Sequence, residues 1–493
     1  MFSRLKHLPT PNQGHFLFRL VAEPNALEME RWLDEVPNEG LIRYYGQWNK
    51  ERLLVATPTA ARDLLTVAAY KSVKATDVRR VVTNVSGPEG LLILEGEKHK
   101  RISKAVLPAL RSDEVRRAYP IMWESVHNLT KAMLNQAEEK RAPQSIVAAG
   151  QFLKLMNAAL IDTIAKWGFS INLGAVFDIR ASIPRTYIGS LKTTKHGQSF
   201  IWWAFTVGPD LIMSLPVRPV KIMNALSKFA DNTAKSLVNP RIAALEAPDK
   251  DQPAPHDMLS IFMKSDKLDN HDLVHQSAHM IAASTETTAS TLAWVVHLLA
   301  RHPECQQRIR EEVRAHMSPP IPAEGNRDFN DANFRELKYL EAVIKEILRF
   351  HSVNTILWRE LIEPATVAGT RLSAGTRIAY SPWTSGRDPR FWGPDGRVFN
   401  PDRWLKDPIK GGASDTFAFL TFGAGPRRCP GEEYAKAQLR CIIAGIIGRF
   451  ELSPYTGTKS SDVGTEIGDF SAFTLFKVME GGLQVNVREV EGW

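Results

Sequence analysis

The chain has 493 residues but only three cysteines, Cys305, Cys429 and Cys441, an odd number spread too widely for a disulfide framework or a CxxC-type zinc site. Long apolar runs are missing too. No stretch reaches the roughly 18 residues that cross a bilayer, and Met1 to Leu8 hold two basic residues and no signal-peptide core. The formal charge is +8, yet there is no Lys/Arg block of the kind that forms a nucleic-acid tail. Nucleic acid is therefore not an expected partner, and a basic docking face for an acidic protein is the milder reading. No internal repeat and no interdomain linker are visible. Hydrophobic content of 44% and charged content of 24% exclude bulk disorder and a multispanning membrane protein. The class is an intracellular globular protein.

Helical spacing dominates what is present. Residues 269–301 begin with a polar DNHD and carry apolar side chains at three- and four-residue intervals through LVHQSAHMIAASTETTASTLAWVVHLLA. At 1.5 Å per residue this predicts a helix of roughly 45 Å, long enough to cross a domain. Pro303 opens a second helix, with acidic residues early in PECQQRIREEVRAHM. Strands are expected at 41–56, a hairpin around a polar turn, and at 364–381, where Gly369 and Gly375 punctuate short runs. The fold class is thus mainly α with small β-sheets towards the two ends. The Pro- and charge-rich stretch 246–257 is the clearest loop. The most apolar segment, 199–217, carries Trp202, Trp203 and Phe205 before a Gly-Pro-Asp break, and reads either as a surface dipping into a membrane interface or as a core helix and turn.

One short stretch carries the chemistry: FLTFGAGPRRCPGEE, residues 419–433. A cysteine thiolate is stabilised by positive charge, amide donors, a helix N-terminus or a metal, and the surroundings of Cys429 offer all four. Gly423, Gly425 and Gly431 let the backbone approach a flat ligand or take positive φ. The apolar spacing of PGEEYAKAQLRCIIAGIIGRF predicts a buried helix whose positive dipole end points at the sulfur. Arg427 and Arg428 are suited to cofactor carboxylates. A lone cysteine before a helix is more often a packed small hydrophobe. The wider pattern decides otherwise.

Phe422, Gly425, Arg427, Cys429 and Gly431 fill F-x-x-G-x-R-x-C-x-G, which closely resembles the signature of the cytochrome P450 family. The resemblance implies that Cys429 is the thiolate axial ligand of a haem b iron (iron protoporphyrin IX), that Phe422 packs near the sulfur, and that Arg427 holds a haem propionate. P450s are the known case in which such a thiolate favours O–O cleavage. Other family motifs follow in order. KEILR supplies Glu346 and Arg349 on one helix face, and FNPDRW supplies Arg403, implying a buried charge network behind the cysteine loop. Ala283 to Thr288 resemble the oxygen-activation stretch A-G-x-E-T-T, which makes Glu286 and Thr287 the expected catalytic acid-alcohol pair, although Ser284 stands where the family usually has glycine. His99 in EGEKHKRISK matches a propionate donor, and Arg359, ten residues after Arg349, matches another. The basic residue expected four positions after His99 is replaced by Ser103, with Lys104 or Arg101 as candidate substitutes. The proline common after the histidine of RFHSVNTILW is also missing, so Val353 to Leu357, expected to face substrate, could take an unusual path.

The resemblance covers essentially the whole chain and is closest to the microsomal type of filamentous fungi. It implies a single catalytic domain over 1–493 with the cytochrome P450 fold, the long central helix over the haem and a Pro-rich segment at 1–15. The chain is expected to begin about where an N-terminal anchor would end. The expected setting is the cytoplasmic face of the endoplasmic reticulum membrane, as a monomer. The implied activity is a haem-thiolate monooxygenase acting with O2 on a small lipophilic substrate, a secondary-metabolite intermediate. Electrons are expected from an NADPH-cytochrome P450 reductase, with cytochrome b5 as a further donor, docking near Lys100, Lys104, Lys345, Arg428, Lys436 and Arg440. Rival readings are a haem-thiolate isomerase or dehydratase, an oxidative coupling enzyme without oxygen insertion, and a non-catalytic haem sensor. Pocket residues are expected within Val81 to Leu94, Trp202 to Phe205, His279 to Ala283, Val353 to Leu357 and Phe470 to Phe473.

Overall fold

A computed structural model describes residues 3–20, 23–86, 89–139, 149–178, 203–204, 208–246, 256–321, 331–454 and 485–493. The helix read over 269–301 runs Asn270–Arg301, and Asp269 caps it by accepting the Asp272 amide at 2.6 Å. That satisfies one of the orphan donors of the first turn. From Leu292 to Ala300 every residue of it is buried, so it is the axis of the helical body. Three further helices, Ser112–Glu139, Ala149–Phe169 and Glu432–Arg449, pack around it and share one apolar core. Pro303–His316 begins with its proline in the first turn, as the sequence suggests, and Lys338–Phe350 packs beside it.

The sheets differ from the sequence expectation in one instructive way. The hairpin is there, as β1 (Leu41–Tyr45) and β2 (Glu51–Val55) in antiparallel register, Ile42 opposite Leu54. Between it and the later strands lie β3 (Ser72–Lys74) and β4 (Leu357–Leu361), two short strands in regions not read as β. The stretch 364–381 then splits. Its first part forms a separate pair, β5 (Ala365–Val367) with β6 (Thr370–Leu372), while β7 (Arg377–Tyr380) crosses to the N-terminal hairpin. The result is one five-stranded sheet in the order β1-β2-β7-β4-β3, parallel only between β2 and β7. A last pair joins β8 (Phe450–Pro454) to β9 (Val485–Glu489).

This sheet sets two distant parts of the chain side by side. β3 pairs with β4 so that Lys74 lies opposite Arg359. The loop expected at 246–257 falls almost wholly outside the described residues, as do Trp202, Phe205 and Phe470 to Phe473. No helix among the described residues is long and apolar enough to cross a membrane.

Candidate functional site

The cysteine loop is held by its own backbone. The Cys429 amide donates to the Phe422 carbonyl at 2.8 Å and the Gly423 amide to Leu420 at 2.8 Å, closing a tight turn in which Gly423 has φ +70°. Gly425 has φ +67°, and a Cβ there would collide with the Leu65 carbonyl. Its freedom thus serves the packing of the loop on the short helix Asp63–Val67, through the positive φ that the sequence allows for these glycines. Beyond the cysteine, Gly431 caps the buried helix Glu432–Arg449 and its N–H is directed at Cys429 Sγ. Phe422 packs on the main core, and the Lys436 ammonium stands 5.7 Å from its ring centre.

Cys429 is accessible to solvent, yet enough protein surrounds its sulfur to desolvate the thiol. That desolvation raises the pKa of the thiol, and the Gly431 amide and Arg428 oppose this only in part. A bound metal would hold the sulfur as thiolate outright. The other two cysteines are buried, Cys305 accepting from Tyr339 Oη at 3.2 Å.

The central helix shows the same kind of access. Between buried Ile281 and buried Thr288, Ala283 is exposed, and Ala282, Ser284, Glu286 and Thr287 are half-buried. The Thr287 hydroxyl donates to the Ala283 carbonyl at 2.7 Å, and Ser284 and Thr285 both donate to Ile281, so each hydroxyl turns back along the helix. Ser284 at the usual glycine position therefore keeps its hydroxyl tied to the helix, 3.2 Å from that carbonyl. One turn earlier Gln276, fully buried, accepts the Leu91 amide and donates to the Glu89 carbonyl. It clamps the loop over the helix, where His279 packs so closely on Gly90 that no larger residue fits there. Gln276 was missed in the sequence because its partners lie 185 and 187 residues away. Of Val353 to Leu357, the valine, Thr355 and Ile356 are buried and Asn354 and Leu357 half-buried.

The expected propionate donors come together. His99 is buried on the helix Gly96–Val106, Arg359 on β4, and Arg427 in the cysteine loop. Lys74 joins them from β3. The single carboxylate among them is Glu95, which pairs with Arg427, accepts the Lys74 amide at 2.9 Å and lies 3.5 Å from the Lys74 ammonium. Arg427 also donates to the Ala69 and Leu94 carbonyls and lies over the Tyr70 ring at 5.1 Å. Burial, and next Arg427, holds the His99 imidazole down to about 4, so it is neutral at neutral pH. Burial, and next Arg359, brings the Lys74 amine down to about 7. Two guanidinium groups and the partly charged Lys74 amine thus gather around one carboxylate among the described residues, and Arg359 Nη1 is buried with no hydrogen-bond partner. A surplus of buried positive charge with an orphaned donor fits a group carrying two carboxylates, as haem does. The candidate substitutes for Ser103 lie elsewhere: Lys104 is exposed, and Arg101 pairs with Asp272 at 2.8 Å.

Behind the loop, Glu346 and Arg349 are completely buried and form a two-point ion pair at 2.6 and 2.8 Å. Glu346 also accepts from the Asn400 amide, the Trp404 indole and Arg403, at 2.8, 2.9 and 3.3 Å. The docking cations are less free than the sequence suggests. Arg440 is tied to Glu341 at 2.8 Å and to Tyr119, Lys436 to Glu432 at 2.7 Å, half-buried Lys100 to Glu97 at 2.6 Å and half-buried Lys345 to Glu341 at 3.6 Å, which leaves Lys104 and Arg428 as the exposed members, Arg428 sharing Glu432 with Lys436.

Comparison with known proteins agrees with this arrangement. The family model described as Cytochrome P450 matches residues 40–470. The chain is similar to the cytochrome P450 monooxygenase sphH of Aspergillus fumigatus, 32% identical over 99% of this chain and 89% of that protein. It is also similar to the cytochrome P450 monooxygenase FSL4 of Gibberella zeae, at 29% over the same shares, and to buaD of Petromyces alliaceus, at 27% over 100% and 89%.

Proposed function

The chain belongs to the cytochrome P450 family and is a haem-thiolate monooxygenase, and we propose that it oxidises a lipophilic small molecule of secondary metabolism with electrons from an NADPH-cytochrome P450 reductase. The observation that carries the reading is Cys429, a solvent-accessible thiol at the N-terminus of a buried helix with the Gly431 amide directed at its sulfur. Haem b, held by Cys429 with Arg427, Arg359 and His99 on its carboxylates, supplies the oxygen-activating chemistry when bound.

The remaining roles belong to the chain. The Gly431 amide and the helix dipole offset negative charge on sulfur. Thr287 and Glu286 lie in the accessible stretch of the central helix, where the Thr287 hydroxyl can turn from the Ala283 carbonyl to pass a proton. Buried Val353 and Ile356, with the loop clamped by Gln276, exclude water from the apolar side. Association with the cytoplasmic face of the endoplasmic reticulum membrane is supported by exposed Trp203, Leu211, Leu215 and Val217, which cluster in the apolar 199–217 segment. The working unit is one monomeric catalytic domain, with cytochrome b5 as an alternative second-electron donor.

The test has two arms. The reduced protein with carbon monoxide should show the red-shifted Soret band of a thiolate-ligated haem, and Cys429→Ser should abolish it. Incubation of candidate apolar substrates should give oxygenated product only with NADPH and reductase. Product without them would make the protein an isomerase or dehydratase. Thr287→Ala should leave NADPH oxidation running while product per NADPH falls at least about tenfold, towards the usual worth of a positioned acid.

A further inference from the structure

We propose that Lys74 supplies the haem-propionate counter-charge that Ser103 lacks, so that in this chain the usual C-terminal member of the helix pair is replaced by a residue delivered from the sheet. The inference rests on the haem-thiolate reading and names a residue for it that the signature motifs do not contain.

Three observations carry it. First, β3 and β4 pair in antiparallel register with Lys74 directly opposite Arg359. Like charges placed opposite one another destabilise a sheet, and more so away from water. This pair is shielded, with 7% of Arg359 and 19% of the Lys74 side chain exposed, so the arrangement calls for an anion between the two strands and their neighbours. Second, the anion present is insufficient. Glu95 is occupied by Arg427 and by the Lys74 backbone amide, and the Lys74 ammonium, 3.5 Å from it, stands beyond the usual charge-assisted distance of about 2.7–2.9 Å. Arg359 and Arg427 against Glu95, with His99 neutral, leave one positive charge over, and the Lys74 amine, brought down to about 7, supplies the second when a propionate holds its proton in place. Third, the residue that would otherwise serve is absent. Ser103 lies one turn beyond His99 on the same helix and carries no charge, while Arg101 is engaged with Asp272 and the Lys267 carbonyl, and Lys104 is exposed. Burial lowers the Lys74 pKa to about 7 even with Glu95 at 3.5 Å, so a further anion beside it would be needed to keep the amine fully charged.

The test measures haem retention in the assembled holoprotein, by transfer of haem to an excess of apomyoglobin, together with the ferric/ferrous midpoint potential. Lys74→Gln should lose haem at least about tenfold faster than wild type, Lys74→Arg should stay near wild type, and Lys104→Gln should have no effect. Adding Ser103→Arg to Lys74→Gln should restore slow loss, because it returns the charge to the helix. The midpoint potential should fall in Lys74→Gln and recover in the double variant, since a cation beside the propionates favours the reduced haem. Glu95→Gln separates a counter-charge from a merely structural partner: it leaves the cations to the propionates and should slow haem loss or leave it unchanged. Equal acceleration by Lys74→Gln and Glu95→Gln, or wild-type retention in Lys74→Gln, overturns the proposal. Should Lys74→Gln yield no holoprotein, the double variant decides, for failure to load haem there overturns it as well. A wild-type chain that takes up no haem at all would instead sink the haem-thiolate reading itself.

Discussion

Two buried charge clusters, one around Glu346 and one around Arg427 of the cysteine loop, are built on different rules. Around Glu346, two guanidinium groups, Arg349 and Arg403, meet two carboxylates, Glu346 and Asp395, and Arg349 spends its remaining donors on the Gly386, Gly396 and Val398 carbonyls. Charge balances, and the pair at its centre is wholly buried and fully hydrogen-bonded. Around Arg427, Arg427 and Lys74 share Glu95, while Arg359 beside them has no carboxylate of its own and keeps a buried donor without a partner. A neutral, satisfied cluster is scaffold, because a low-dielectric interior tolerates charge only when it is paired. An unbalanced one is a binding site, because the missing charge has to arrive with a ligand.

The largest effect that would break this comparison comes from the balanced side. Glu346→Ala leaves Arg349 and Arg403 facing each other in the interior and should cost about 3–5 kcal/mol. It is read as loss of soluble holoprotein and a lower denaturation midpoint. If the variant folded as well as wild type, the network would not be scaffold. On the unbalanced side the corresponding change is pH. The folded pKa of His99, about 4, lies below its usual 6.5, so its contribution to stability is complete above pH 6.5 and is lost as pH falls through about 4. Protonation there adds a further cation to the surplus, and the haem-free chain should lose up to about 3 kcal/mol across that window. Melting temperature against pH measures it, and a flat profile would mean that the imidazole does not feel its neighbours.

A smaller effect sharpens the contrast. Arg359→Leu removes a cation from the surplus together with a hydrogen bond to buried Tyr380, so the fold itself should change by about 1–2 kcal/mol, well short of the Glu346→Ala cost. Haem loss should nevertheless accelerate. Stability and retention, which fall together for Glu346→Ala, should separate here, and a parallel fall in both would make Arg359 scaffold too.

The sequence made some of this legible and could not show the rest. The central helix was readable because Leu292 to Ala300 and the turns before them keep helical spacing, and its cap, Asp269, precedes it directly. The Glu346–Arg349 pair was readable because three residues on a helix put side chains on one face. β3 and β4, of three and five residues, are too short to show a period, and β7 joins β2 across more than 300 positions. Lys74 could not be found without them, for its neighbour Arg359 is 285 residues away and only the register brings the two together. Arg440 was misjudged for the same reason, its partner Glu341 lying 99 residues upstream, although the i,i+4 spacing of Glu432 and Lys436 could have warned that this lysine is paired.

That correction yields the smallest prediction, on the surface outside both clusters. If an acidic reductase docks on the cysteine side, the charges it meets are the exposed ones: Lys104, and Arg428, which is 61% exposed and shares one carboxylate, Glu432, with Lys436. Attraction between exposed charges is screened over about 10 Å at 0.1 M salt, so the rate of haem reduction should fall as ionic strength rises. Lys104→Gln and Arg428→Gln should each lower the low-salt rate by roughly twofold and flatten the salt dependence. Arg440 offers a contrast, because its charge is already neutralised by Glu341, and removing the pair with Arg440→Gln and Glu341→Gln together should leave the salt slope where it was. Stopped-flow reduction at several salt concentrations distinguishes the two. An equal loss of slope in that double variant would show that charge inside an ion pair still steers the partner, and that balance does not separate scaffold from docking surface as it separates scaffold from binding site.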